Sequence, residues 1–245
     1  MVIGITGGIG SGKSTIARAL EARGYKVYDC DREAKRIIAE NPDVQQQIIA
    51  LLGPESFIIP AGKPCIQLSP EKSGLSLVYN TAYVAQRVFA EPELLEQLNA
   101  IVHPAVKADI LSLISSTGNS GEAFRSAASH LFIESAILFE AGLNGLCDKI
   151  FIVDAPEDIR IARTIARDYN GEATPDNINK VRARIHAQTP PSSTPHLPSP
   201  NFATHHPSPA TGHTISGTYI PASYTILNDG RTPIDDLASL ILQNI

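Results

Sequence analysis

The chain has 245 residues, 43% of them apolar and 18% charged, with a formal net charge of −5. That is enough apolar material for one sizeable core, or a core with a small inserted domain, and it excludes global disorder. A pI near 5.8 argues against a general nucleic-acid binder, which carries a basic footprint.

Taken in chain order, Val2-Ile3-Gly4-Ile5 is a short apolar run that ends in glycines, and helical periodicity follows from Lys13 to Arg23. Strand, glycine turn and helix is the natural reading. Tyr25 to Tyr28 reads as a second strand, Asp31 to Glu40 as a helix, and Val44 to Leu52 as another helix. Residues 53 to 79 are rich in Gly and Pro and read as irregular. Thr81 to Ser116 is mostly helical, with interruptions expected near Pro92 and Pro104. Leu131-Phe132-Ile133 and Lys149 to Val153 are continuous apolar runs, as expected of strands covered on both faces. Helices are predicted over Pro156 to Tyr169 and Asp176 to Ala187, a last strand over Tyr224 to Leu227, and a closing helix over Ile234 to Leu242. Strands alternating with helices predict an α/β fold with a mostly parallel sheet and helices on both faces.

One segment departs from this pattern. No charged residue lies between Arg184 and Asp229, and Pro190 to Pro221 holds eight of the eighteen prolines and four of the seven histidines. A long irregular segment is expected over about 189–222. His196, His205, His206 and His213 have no Cys or Asp at metal-site spacing and read as a solvated loop.

Cys30, Cys65 and Cys147 form no CxxC pair and cannot all be bridged within the chain, so a reducing compartment is expected. No basic n-region and no apolar run of about 18 residues is present, so a cytoplasmic protein without membrane attachment is expected.

The chemistry concentrates at the first turn. Gly7-Gly8-Ile9-Gly10-Ser11-Gly12-Lys13-Ser14 fits GxxxxGK[ST], and Thr15 extends it. Glycines let successive backbone N–H groups turn inward around phosphate oxygens, at the positive end of the following helix. Gly10, Ser11, Gly12, Lys13, Ser14 and Thr15 therefore belong to an expected phosphate loop, a strong signal for nucleotide binding. Lys13 is placed to charge-stabilise the β and γ phosphates, and the Ser14 hydroxyl is available to Mg²⁺. An NKxD-type guanine reader is missing: Asn144 and Asp148 have the wrong spacing, and Asn228-Asp229 lacks the lysine. ATP-dependent transfer to a small molecule is favoured over GTP hydrolysis.

Asp29 and Asp31 end the second strand, where ligands bind in open parallel sheets. A carboxylate there suits a base that orients an acceptor hydroxyl, while Asp31 could equally cap the helix that follows. Arg160, Arg163 and Arg167 recur at helical spacing, which fits either a phosphate-facing row or a solvated helix face.

With Thr6 to Thr15 and Asp29-Cys30-Asp31 in place, the chain resembles the dephospho-CoA kinase family, which opens with TGGIGSGKST and follows its second strand with D-x-D. Val88-Phe89, Leu94-Leu95 and Ile101 to Val106 resemble its VF…L…IxHPxV segment, and Ile133 to Gly142 its D-x-P-L-L-F-E-x-G. Arg163 to Asp168 resembles RxxxRD, Arg184 to Gln188 resembles RIxxQ, and Ile226 to Gly230 matches a strand ending in N-D-G. The resemblance covers most of the chain.

It implies ATP-dependent phosphorylation of the ribose 3′-hydroxyl of dephospho-CoA, the final step of coenzyme A synthesis. It also implies a P-loop core (about 1–40, 130–160 and 222–245), a helical substrate region (about 41–129) and a lid (about 161–188). Carried over by position, Gly10 to Thr15 are the ATP loop, Asp31 is the catalytic base, and Arg163 and Arg167 stabilise charge beside Lys13. Asp31 and His103 then fall on the substrate side, where His103 also has a core or capping reading.

Three positions depart from the family. Thr81 stands where a substrate-side arginine is expected, Glu134 replaces the acidic Asp, and Ala136 replaces a proline. The Pro-rich segment takes the place of the helix expected after RIxxQ. Another P-loop nucleoside or nucleotide kinase, and a nucleotide-binding protein of weak catalysis with a disrupted lid, are the alternative readings.

Overall fold

In the computed structural model, which describes residues 1–58, 77–118, 130–188, 213–215, 218–220 and 222–245, the first apolar run forms β1 (Val2–Gly7). It is followed by α1 (Lys13–Ala22) and β2 (Lys26–Asp29). Next come α2 (Cys30–Glu40) and α3 (Pro42–Leu52). The start of α3 is fixed by Asn41, whose side chain accepts from the Asp43 and Val44 amides at 3.0 and 3.2 Å. Pro42 holds the first helical position. β3 (Phe57–Ile58) pairs antiparallel with β4 (Val78–Tyr79). Asn80 then caps α4 (Thr81–Ala90), and α5 (Pro92–Gly118) follows.

The chain continues through β5 (Leu131–Glu134), β6 (Lys149–Asp154), α6 (Glu157–Asp168) and α7 (Pro175–Ala187). A short antiparallel pair, β7 (His213–Ile215) and β8 (Thr218–Ile220), precedes β9 (Ala222–Leu227) and α8 (Ile234–Gln243).

Two compact units result: Met1–Asp29 with Ser120–Ile245, and Cys30–Asn119. In the first, the sheet has the order β2-β5-β1-β6-β9, and all of its pairings are parallel. The expected parallel sheet is therefore present. Ile3, Ile5, Phe132, Phe151, Val153, Tyr224 and Ile226 pack with Ile16 and Leu20 of α1 and Leu237, Ala238 and Ile241 of α8. At the alternate position Gly4, an added Cβ would lie 2.8 Å from Leu138 and 3.0 Å from Cys147 Sγ. The parallel register brings the C-terminal ends of the strands to one edge, with Asp29 beside Glu134 and Asp154 beside Leu227. That edge carries the loop after β1.

The second unit differs from the sequence expectation in three places. Its boundary lies at Cys30 rather than near residue 41, because α2 is tied to its helices. Arg36 of α2 bonds Asp109 of α5 at 2.7 Å. Gln45 of α3 donates to the Ile38 and Ala39 carbonyls of α2 at 3.2 and 2.7 Å. The second difference is at Pro104, where no break occurs and α5 runs through. Proline forfeits one helical bond there, but the buried stripe Leu98, Val102, Val106 and Ile110 continues at four-residue spacing on both sides of it. The third is the β3–β4 pair, inside the stretch read as irregular. Phe57 is fully buried against Tyr79, with ring centroids 5.5 Å apart. Two-residue strands carry no periodicity to read.

Most of the Pro-rich segment expected to be irregular lies outside the described residues. The part within them forms β7 and β8, so the segment is not irregular throughout.

Candidate phosphate site

The loop between β1 and α1 takes its shape from glycines that no other residue could replace. Gly10 and Gly12 adopt φ of 76° and 95°, in the left-handed region. A Cβ at Gly10 would lie 2.4 Å from the Arg160 carbonyl, and one at Gly12 would lie 2.2 Å from Asn228 Nδ2. The loop closes through Ser11 N–H donating to Gly8 O at 3.1 Å, and α1 opens with the Thr15 and Ile16 amides donating to Gly12 O. An N-terminus of a ten-residue helix preceded by such a turn is an anion site.

Lys13 and Ser14 converge on one carboxylate. Lys13 Nζ lies 3.6 Å from Glu134 Oε1, and Ser14 Oγ donates to the same oxygen at 3.3 Å. Glu134 is 4% exposed, at the end of β5 and in register with Asp29 on one side and Ile5 on the other. In the sequence it registers only as a departure from Asp. The usable signal is a carboxylate closing an otherwise apolar buried strand. A hydroxyl and a carboxylate are oxygen donors of the kind a hard divalent cation takes, so the residues present fit Mg²⁺ held with substrate phosphates. Among the described residues, no cluster of three or more His, Cys, Asp or Glu forms an all-protein metal site.

The arginines divide into two groups. Arg160 Nε donates to Ile9 O at 2.8 Å. Arg163 Nη1 donates to Ser11 O and Asn228 O, both at 3.2 Å, and Nη2 donates to Asn228 Oδ1 at 3.0 Å. Gln188, the last residue of the RIxxQ stretch, accepts from Ile9 N–H at 2.8 Å. Asn228 and Gln188 were not singled out from sequence as site residues. Their contacts span 217 and 179 positions, which no local pattern reports.

Arg167 instead is exposed and bidentate to Asp168, at 2.6 and 3.2 Å, while Arg184 reaches the same carboxylate at 2.8 Å. The Arg167 guanidinium first, with Arg184 beside it, holds the Asp168 carboxyl down at about 2. A depressed carboxylate stabilises the fold above its unfolded value of 3.8, and that contribution is lost as pH falls through about 2. Discounted for solvent screening, Asp168→Asn should cost about 1 kcal/mol at pH 7. Denaturant melts of parent and variant should converge toward pH 2. No gap at pH 7 would mean the pair contributes nothing, and a gap undiminished toward pH 2 would mean the loss does not come from the carboxylate's charge.

Asp31 and His103 belong to the other unit. α2 already begins at Cys30, so Asp31 is an exposed residue inside the first turn rather than the cap. His103 is half-buried on α5, where burial pushes its pKa down and favours the neutral ring.

Against known proteins, the family model described as dephospho-CoA kinase matches residues 1–63 and 77–195. The chain belongs to the dephospho-CoA kinase family. It is 38% identical to a dephospho-CoA kinase of Porphyromonas gingivalis over 174 residues, covering 71% of this chain and 73% of that protein. A dephospho-CoA kinase of Chlorobaculum tepidum is 35% identical over 190 residues, 78% of this chain and 79% of the relative. Among solved structures, TT1252 from Thermus thermophilus superposes with TM-score 0.55 at 30% identity, covering 78% of this chain and 81% of that one. The dephospho-CoA kinase of Campylobacter jejuni, at TM-score 0.50 and 17% identity over 99% of this chain and 96% of its own, shares the fold.

Proposed function

We propose that this member of the dephospho-CoA kinase family transfers the γ-phosphoryl group of ATP to the ribose 3′-hydroxyl of dephospho-CoA, giving coenzyme A and ADP. The observation that carries this reading is the Lys13–Glu134–Ser14 cluster at the mouth of the phosphate loop, in a chain of that family. The loop amides hold the phosphates, and Lys13 places a point charge where negative charge accumulates during transfer. Ser14 and Glu134 would hold Mg²⁺, which neutralises phosphate charge when bound. Asp31, two residues beyond the end of β2, orients the acceptor hydroxyl and accepts its proton. Arg167 supplies further charge at the lid, and His103 belongs to the substrate side.

Among the described residues no helix is long and apolar enough to cross a membrane, and the proposed site of action is the cytoplasm. The test is ADP release in a coupled assay while dephospho-CoA is titrated, with nucleosides and nucleotides as competing acceptors. Saturable, dephospho-CoA-dependent ADP formation is expected. Equal turnover with a simple nucleoside would overturn the substrate assignment.

A further inference from the structure

Asn228 is 1% exposed, and its side chain is bonded at both ends. Nδ2 donates to Ser11 O at 2.9 Å, while Oδ1 accepts from Arg163 Nη2 at 3.0 Å. Its backbone N–H donates to Asp154 O at 2.7 Å, which continues the β6–β9 ladder and fixes the residue to the sheet. Arg163 Nη1 adds a second donor to Ser11 O at 3.2 Å and reaches Gly10 O at 3.5 Å. The Ser11 carbonyl is thus held by two side chains from α6 and the end of β9. A trans peptide is planar, with C=O and N–H antiparallel. Fixing the Ser11 carbonyl therefore fixes the Gly12 N–H on the opposite side, directed away from Asn228 and Arg163. The same approach accounts for Gly12, since a Cβ there would lie 2.2 Å from Asn228 Nδ2.

We infer that Asn228 and Arg163 form a clasp that positions the phosphate loop for the polyphosphate of the nucleotide, acting through the Ser11–Gly12 peptide rather than by contact with the transferred group. Both are positioning residues. The inference rests on the nucleotide reading of the loop and adds two groups to it. In the clasp, the guanidinium matters as a planar fork that serves the Ser11 carbonyl and both oxygens of Asn228 together. A lysine keeps the charge but cannot reproduce that fork. Had Arg163 acted as a charge alone, lysine would largely substitute for it.

The experiment compares the parent with Arg163→Lys, Asn228→Ala and the double variant. It measures affinity for ATP and for inorganic tripolyphosphate, the KM of dephospho-CoA, and thermal melting. Each single change should weaken both probes about tenfold, the effect of losing hydrogen bonds with a charged partner. The double variant should fall no more than about threefold further, because the two act as one unit. The KM of dephospho-CoA should stay within twofold, a split that a general loss of structure would not give.

Parent-like binding in Arg163→Lys overturns the clasp. So does weakened ATP with unchanged tripolyphosphate, which would place both residues on the base instead of the phosphates. Additive losses overturn it as well. If Asn228→Ala fails to fold, Arg163→Lys at its part-buried position decides on the same measurements. A parent that binds neither probe overturns the nucleotide reading itself, and the clasp with it. A parent that binds both while Arg163→Lys matches it overturns the clasp alone.

Discussion

Lys13→Ala should lower kcat by about 100-fold or more, with a smaller effect on ATP affinity. The ammonium gains most when charge builds on the β–γ bridge and γ oxygens, so its removal is felt more in the transition state than in the bound ground state. The structure adds a second expected effect. Lys13 Nζ lies 3.6 Å from Glu134, and their side chains are 13% and 5% exposed. Without the lysine, a buried carboxylate that accepts from the Ser14 hydroxyl loses the cation beside it. Stability should fall by about 1–3 kcal/mol, the cost of leaving a buried polar group under-satisfied. Adding Glu134→Gln to Lys13→Ala should restore most of that stability, because the buried negative charge is gone along with its cation. It should restore none of the turnover. Melting curves and steady-state rates on the single and double variants separate the two effects. Turnover of Lys13→Ala within threefold of the parent would show that this loop is not the working phosphate site.

The parts of the molecule legible in the sequence are those with a local signature. The glycines of the phosphate loop are legible because two of them occupy a backbone region closed to other residues. β5 and β6 are legible because strands buried on both faces must be continuously apolar. The boundary at Cys30 was not, since it depends on Arg36 reaching Asp109, 73 positions away. Pro104 misled for a related reason: local propensity opposes the helix, and a buried stripe on both sides of it prevails. Glu134, Gln188 and Asn228 complete the site through contacts spanning 120, 179 and 217 positions. The folded sheet, by aligning its strand ends at one edge, brings Glu134 and Asn228 to the loop, and Gln188 reaches it from the C-terminal end of α7.

Asp31→Asn is expected to reduce kcat by about 10²–10⁴-fold, the usual share of a positioned base. The substitution keeps size and one hydrogen bond while removing charge and basicity. In a loose transition state proton transfer lags phosphoryl transfer, so the carboxylate chiefly orients the hydroxyl and takes its proton late. A structural role predicts something else. Because α2 begins at Cys30, Asp31 is no cap, and its remaining contribution to the helix is a favourable charge near the N-terminus. Neutralising that charge costs about 0.3–1 kcal/mol of stability and leaves the chemistry alone. ATP affinity should barely move, since the phosphate loop is untouched. The paired measurement is steady-state turnover and nucleotide Kd on the same variant, with a melting curve as control. Near-normal kcat with a slightly lowered Tm would leave Asp31 as a helix charge only and rule out the base. Lost ATP binding would place Asp31 in the nucleotide site instead. A collapse of kcat with ATP affinity and Tm close to the parent is the outcome that the acceptor-side role requires.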